Sequence, residues 1–372
     1  NENQYQLLPF IILESAVVGS LLISLLLILL LDWMREPLNR YKLWIIPFLD
    51  KWNSLDNIQE KDIENLNFLE SEDDFKRVVF DSIKGNHEKI PRIAIKNHFS
   101  EASELRDEDG NNICQIASKS GNVSVIKAID DQMQKIKGEN GLELVGPQTI
   151  FSDLNNRGQN CLHLAGTSGQ FESFEALLKL ARKSNQNMHV VDKFGFYPLA
   201  YLIQHEIKAP IRCVNPWIRI LKQYKKMVPD TIEIANENTG DTLMHVAIKS
   251  KNVVAVKALL TEQSQDNLAN LRGVTPLHIC AKNGLQVEAN LLVKKESKSI
   301  QDHEGQTPLH YLARYSGSVQ TFQALQPTKE AIEALNMQGK SSLMYAEENG
   351  FSKLCSAMKE IIDLHLDNEN DE

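Results

Sequence analysis

Two arrangements of apolar and polar positions divide the chain. From Leu7 to Leu31 the side chains are apolar apart from Glu14, Ser15, Ser20 and Ser24. About 20 such residues span the hydrocarbon core of a bilayer, so this stretch predicts one transmembrane helix. Beyond residue 73 the apolar positions instead come in short runs with helical spacing, such as Val253 to Leu260, punctuated by glycine and polar turns. That pattern predicts many short amphipathic helices that need one another for burial.

The flanks of the apolar span set its expected orientation. Arg35, Arg40, Lys42 and Lys51 follow it and no basic residue precedes it, which places the N-terminus outside and the remainder in the cytoplasm. A cleaved signal peptide would show the opposite flanks. Pro9 suits the first turn of the helix. Trp33, Tyr41, Trp44 and Trp52 are the candidate interfacial anchors, the last three within the strip YKLWIIPFLDKW. That strip reads either as a segment on the membrane surface or as one packed against the first repeat. Glu14 reads as an interfacial carboxylate or as an intramembrane polar partner, and Ala16, Ser20 and Ser24 read as a helix-dimer seam or as chance. The expected domains are a short outer segment (1–6), the helix (7–31), a juxtamembrane strip and linker (32–72), a repeat domain (73–366) and an acidic disordered tail (367–372).

Self-similarity organises the rest. Gly273-Val-Thr-Pro-Leu-His-Ile-Cys-Ala-Lys-Asn-Gly284 returns as Gly305-Gln-Thr-Pro-Leu-His-Tyr-Leu-Ala313, with Gly317 one place late. Looser copies begin at Gly110, Gly158, Gly195, Gly240 and Gly339, making seven. The last four anchors lie 33, 32 and 34 residues apart. Glycine supplies the left-handed turn, Thr275 and Thr307 the helix caps, and Pro276 and Pro308 the first helical position. Each helix pair leaves an apolar face that only its neighbour covers.

The Thr-Pro-Leu-His motif at this spacing resembles the ankyrin-repeat family over roughly Phe75 to the C-terminus. The resemblance implies an all-α solenoid of helix pairs with β-turn fingers, in which His163, His245, His278 and His310 hold helix starts. Asp73 to His98, with Gly85 at its turn, reads as a degenerate N-terminal cap. The family also implies partner binding through fingers and the concave face. The finger candidates are Arg106, Asp107, Arg157, Lys193, Phe194, Glu237, Arg272, His303 and Glu304.

Two repeats depart from the period, with anchors 48 and 45 residues apart, placing insertions near 133–152 and 208–230. The second carries Lys208, Arg212, Arg219, Lys222, Lys225 and Lys226 without an acid between Lys208 and Val228, beside Trp217 and Tyr224. It reads as a docking patch built on Trp217, Lys222, Tyr224, Lys225 and Lys226, or as a long second helix with a solvated face.

Charge and composition narrow the function. A net charge of -9 argues against nucleic acid as a partner. Five dispersed cysteines form neither a disulfide framework nor a metal motif, and no phosphate loop, GxSxG or HExxH is present. The chain therefore reads as a non-enzyme without a cofactor. The leading expectation is a membrane-tethered adaptor for a protein partner. A structural subunit of a larger membrane complex and a bacterial effector acting at host membranes are the alternatives.

Overall fold

The repeat frame dictates where helices start. Two residues after six of the seven anchor glycines stands a side-chain helix cap: Asn112, Asn160, Thr242, Thr275, Thr307 and Ser341 all take extended backbone there, and their side-chain oxygens meet the exposed amides of the first turn. Gly121, Gly284 and Gly317 end their helices in the left-handed conformation, which a residue without Cβ adopts freely. The computed structural model describes residues 72–85, 87–140, 150–184, 187–205, 214–227, 234–261, 269–293 and 299–370. All of them belong to the unit that runs from Leu69 to Glu372.

The cap is α1 (Glu72–Lys84), α2 (Lys89–Asn97) and α3 (Phe99–Glu104). Then come the helix pairs: α4 (Ile113–Ser120) with α5 (Val123–Asn140), α6 (Cys161–Thr167) with α7 (Phe171–Ser184), and α8 (Pro198–Gln204) with α9 (Asn215–Met227). A short ribbon, β1 (Ile234–Asn236) and β2 (Asp241–Thr242), precedes α10 (Leu243–Lys249) and α11 (Val253–Thr261). The last three pairs are α12 (Pro276–Asn283) with α13 (Gln286–Leu292), α14 (Pro308–Tyr311) with α15 (Val319–Leu325), and α17 (Ser342–Glu348) with α18 (Ser352–Asn370). A single turn, α16 (Lys329–Glu333), precedes the final pair. First helices pack on first helices and second on second, giving two rows with Leu162, Leu177, Leu199, Leu277 and Leu309 between them.

Buried histidines couple consecutive repeats. The Nε2 atoms of His163, His245, His278 and His310 lie 3.2, 2.8, 2.9 and 3.1 Å from the carbonyl oxygens of Phe196, Val274, Gln306 and Lys340, each in the next finger. A carbonyl only accepts, so Nε2 carries the proton and Nδ1 is left as an acceptor. There it takes the backbone N–H of its own cap residue, at 3.1 Å in Thr242, Thr275 and Thr307. Gln115 does the same without an ionisable group: its Oε1 accepts from Asn112 N–H at 2.7 Å and its Nε2 donates to the Gln159 carbonyl at 2.7 Å.

Some expectations change. The two-stranded antiparallel ribbon qualifies the all-α reading; one extra residue in the finger at Asn236–Gly240 lets its two arms pair, with an irregular register. The tail from Asp367, expected to be disordered, continues α18 to Asn370. Extending an existing helix needs no new nucleus, and Leu354 and Met358 bury its start. Near 133–152, part of the first insertion lengthens α5 and part returns to the core through Ile150 and Phe151. The expected membrane helix, the juxtamembrane strip and their anchors Trp33, Tyr41, Trp44 and Trp52 lie outside the described residues. Among the described residues, no helix is long and apolar enough to cross a membrane.

Two outcomes test this scheme. Burial is the largest force lowering the four histidines below their ordinary 6.5, His163 to about 4. Between those limits the unfolded chain holds more protons than the folded one, so stability is complete above pH 6.5 and falls on acidification, by about 1.4 kcal/mol per pH unit for His163. His163→Gln keeps donor and acceptor, as Gln115 shows, so its urea midpoint should fall less steeply than the parent's from pH 7 to 4.5; an identical slope would rule out this coupling. Lys251, at φ 55°, occupies the place of those left-handed glycines. Lys251→Gly should raise stability by up to about 1 kcal/mol, read as a higher thermal midpoint.

Candidate interaction groove

Each finger is built on one Asx residue. Asp302 Oδ1 accepts the N–H groups of Glu304 at 2.9 Å and Gln306 at 2.8 Å, and Asn270 and Asn336 repeat the arrangement two and four residues on. Asn155 and Asp192 do likewise. A backbone ladder then joins finger to finger: Leu271 N–H donates to Thr239, His303 to Arg272 and Met337 to Glu304, at 3.0 to 3.1 Å. The contact is close enough that a Cβ at Gly273, itself at φ 74°, would stand 2.9 Å from His303 N. Positioned in this way, the fingers form one wall of a groove.

The first helices form the other wall. Between α10, α12 and α14 and the fingers of their repeats lies a groove of about 730 Å³, lined by Leu271, Arg272, His303 and Glu304 on one side and Lys282, Arg314 and Tyr315 on the other. Its most distinctive group is Tyr315, 47% exposed. The equivalent place in other repeats holds Ser120, Ser168, His205, Ser250, Asn283 or Asn349. Tyr315 arrives there because this repeat has one extra residue before Gly317. The surplus is taken up within the helix as a π-turn, Leu312–Ser316, closed by Gly317 N–H donating to the Leu312 carbonyl at 2.9 Å.

Cations surround that ring. Lys282 Nζ lies 4.8 Å and Arg314 Cζ 5.3 Å from the Tyr315 centroid, and Arg314 is 5.7 Å from the Tyr345 ring. Deeper groups are committed to the scaffold. Tyr311 donates to Asp302 Oδ2 at 2.8 Å, and burial together with that carboxylate pushes its phenol well above the usual range. Asp241 bonds Asn270 Nδ2 at 2.9 Å and pairs with Lys249. Burial alone would raise its carboxyl, but these two partners outweigh burial and lower it.

The remaining candidates separate by role. Arg106 is a brace, 3.1 Å from Asp153 and bonded to the carbonyls of Ser103 and Leu105. Asp107 shapes its finger by accepting from Asn111, Lys193 Nζ donates to the Asn156 carbonyl at 2.7 Å, and Glu237 accepts from the Tyr197 hydroxyl. Arg157 lies 3.6 Å from Asp109 and shares a smaller hollow of about 310 Å³ with exposed Phe194. Trp217 and Tyr224, expected on a docking patch, are 0% and 1% exposed. With Ile220 and Leu221 they form the buried stripe of α9, Trp217 edge-on to Phe171 at 4.7 Å and Tyr224 stacked on Phe174 at 6.3 Å. Lys222, Lys225 and Lys226 occupy the exposed side of that second-row helix, away from the groove. Arg219 pairs with Glu175 at 2.8 Å.

Among the described residues no group of three His, Cys, Asp or Glu side chains is placed to hold a metal. Sequence reasoning missed Lys282, Arg314 and Tyr315; the late Gly317 was the visible signal.

Residues 180–298 match the family model described as ankyrin repeats (3 copies). The human transient receptor potential cation channel subfamily A member 1 is 23% identical over 257 residues, covering 57% of this chain and 22% of that protein. Alpha-latrotoxin-Lhe1a of Latrodectus hesperus is 33% identical over 137 residues, covering 35% and 9%. The chain thus spans less than a quarter of the length of either relative. Among solved structures, the ankyrin repeat domain of Bcl-3 superposes with a TM-score of 0.50 at 19% identity, covering 66% of this chain and 99% of that one. The repeated finger, helix pair and histidine, the family-model match and this superposition together make the described residues an ankyrin-repeat fold.

Proposed function

We propose that this chain is a membrane-tethered, non-catalytic adaptor that recruits a protein partner into the groove between the fingers and first helices of the repeats anchored at Gly240, Gly273 and Gly305. The observation that carries the reading is an exposed contact surface on a rigid frame: Tyr315 and Leu271, the latter 65% exposed, stand among Arg272, Lys282 and Arg314. Tyrosine and arginine are the residue types that dominate the energetics of protein interfaces. Ankyrin repeats suggest a role in protein binding, and a short, strongly braced ladder loses little entropy when a partner docks.

Support for the tether comes from the Leu7 to Leu31 run and its basic far flank. With a C-terminal epitope on the full chain, protease added to intact cells should leave the epitope whole and destroy it after permeabilisation. Loss of the epitope in intact cells would reverse the orientation, and recovery of the chain in the soluble fraction would remove the tether.

The groove is tested by position. A photo-crosslinking amino acid in place of Tyr315 should capture a partner in cells, whereas the same group in place of Lys225 on the second row should not. Tyr315→Ala should weaken partner retention at least tenfold, since loss of a central aromatic contact costs about 2 kcal/mol. Capture from Lys225 alone would move the site to the outer row.

A further inference from the structure

The groove also specifies the chemistry of what it takes, an inference that rests on the recruitment reading above. Nine residues after their anchor glycines, four first helices carry a cation: Lys119, Lys249, Lys282 and Arg314. In a chain of net charge -9, this row runs against the overall balance. Lys249 is neutralised by Asp241. Lys282 and Arg314 form no ion pair among the described residues; each instead lies against the exposed Tyr315 ring, with Arg272 exposed on the facing finger. Two uncompensated cations and an aromatic face on one groove wall form a surface complementary to carboxylates attached to an apolar or aromatic stem.

The repeat sets the spacing. Helices packed side by side lie about 8–10 Å apart. Three residues of chain in the extended polyproline II conformation cover about 9 Å and complete one turn. A segment in that conformation, running along the stack, therefore presents every third side chain on one face, toward successive first helices. The opposite wall carries Glu304, which bonds Gln306 at 2.6 Å, and the buried Asp302 and Asp241. Those carboxylates favour a ligand whose charges are sparse and face one wall, and they disfavour a densely charged polyanion. We infer that the groove binds an extended acidic segment of a partner protein, with Asp or Glu three residues apart pairing with Lys282 and Arg314 and an intervening side chain resting on Tyr315.

Selection of short random displayed peptides on the full chain, kept in solution with a mild detergent, tests this. Binders displaced by Tyr315→Ala define the groove pool. That pool should be enriched in acidic residues three apart. One synthesised clone, followed by fluorescence anisotropy, should bind the Lys282→Glu, Arg314→Glu double variant at least tenfold more weakly and lose affinity as salt rises. Its isomer with the acids contiguous should bind more weakly than the clone itself. Circular dichroism and the milder Lys282→Gln, Arg314→Gln pair separate charge from misfolding. A groove pool that is neutral or basic would overturn the acidic inference while leaving recruitment intact, as would an acidic clone that binds the double variant unchanged. Equal displacement by single-stranded DNA would overturn it in favour of general polyanion binding. A pool wholly indifferent to Tyr315→Ala would overturn the groove and the inference together.

Discussion

A neutral imidazole shared between neighbouring repeats is the constraint on which the described fold depends. A first helix of seven residues is too short to be stable alone in water. His163, His245, His278 and His310 answer this by closing the cap of their own helix through Nδ1 and holding the next finger through Nε2. Both bonds require the uncharged ring in one tautomer, and burial enforces it. Local helix formation and inter-repeat docking are therefore made by the same side chain. Neither can loosen without the other.

The positions that lack the histidine show what the coupling must otherwise supply. Ala200 occupies its place in the repeat anchored at Gly195, and Tyr197 there makes no side-chain cap. The connection to the next finger is instead made by main chain: Phe196 bridges Asn236, and Tyr197 N–H donates to the Ala235 carbonyl at 3.1 Å. His189 stacks on Tyr197 at 4.1 Å and meets the Tyr224 hydroxyl at 2.6 Å, joining that finger to the buried aromatics of α9. In the repeat anchored at Gly339 the position is Met344, which is exposed and faces no further finger among the described residues. The histidine thus tracks the need for a side-chain link.

Legibility in the sequence followed the same division. Period, caps and turn glycines could be read because each is a local requirement tied to one residue type. The buried stripe of α9 was legible too: Trp217, Ile220, Leu221 and Tyr224 recur at helical spacing, but attention to the basic residues between them suggested a surface. An Asx residue three before six of the seven anchor glycines, from Asp107 to Asn336, was equally visible and marks the finger hydrogen bonds. The consequence of the late Gly317 was not legible. An extra residue can enter a loop or a helix, and only packing on both sides of α14 decides that it becomes a π-turn.

That decision explains where variation can carry function. Asx, glycine, cap and histidine positions are each bound to a neighbour, so changing them alters the stack. Arg106, Asp107 and Lys193 are drawn into the same bracing even though they lie on fingers. On the groove side, the outer finger residues such as Leu271, Arg272 and His303, and the last turn of the first helices, where Lys282, Arg314 and Tyr315 stand, are not part of that bracing. These two sets face each other across the groove. The π-turn enlarges this strip by bringing one aromatic side chain into a place that elsewhere holds serine or asparagine, apart from His205 in the repeat anchored at Gly195.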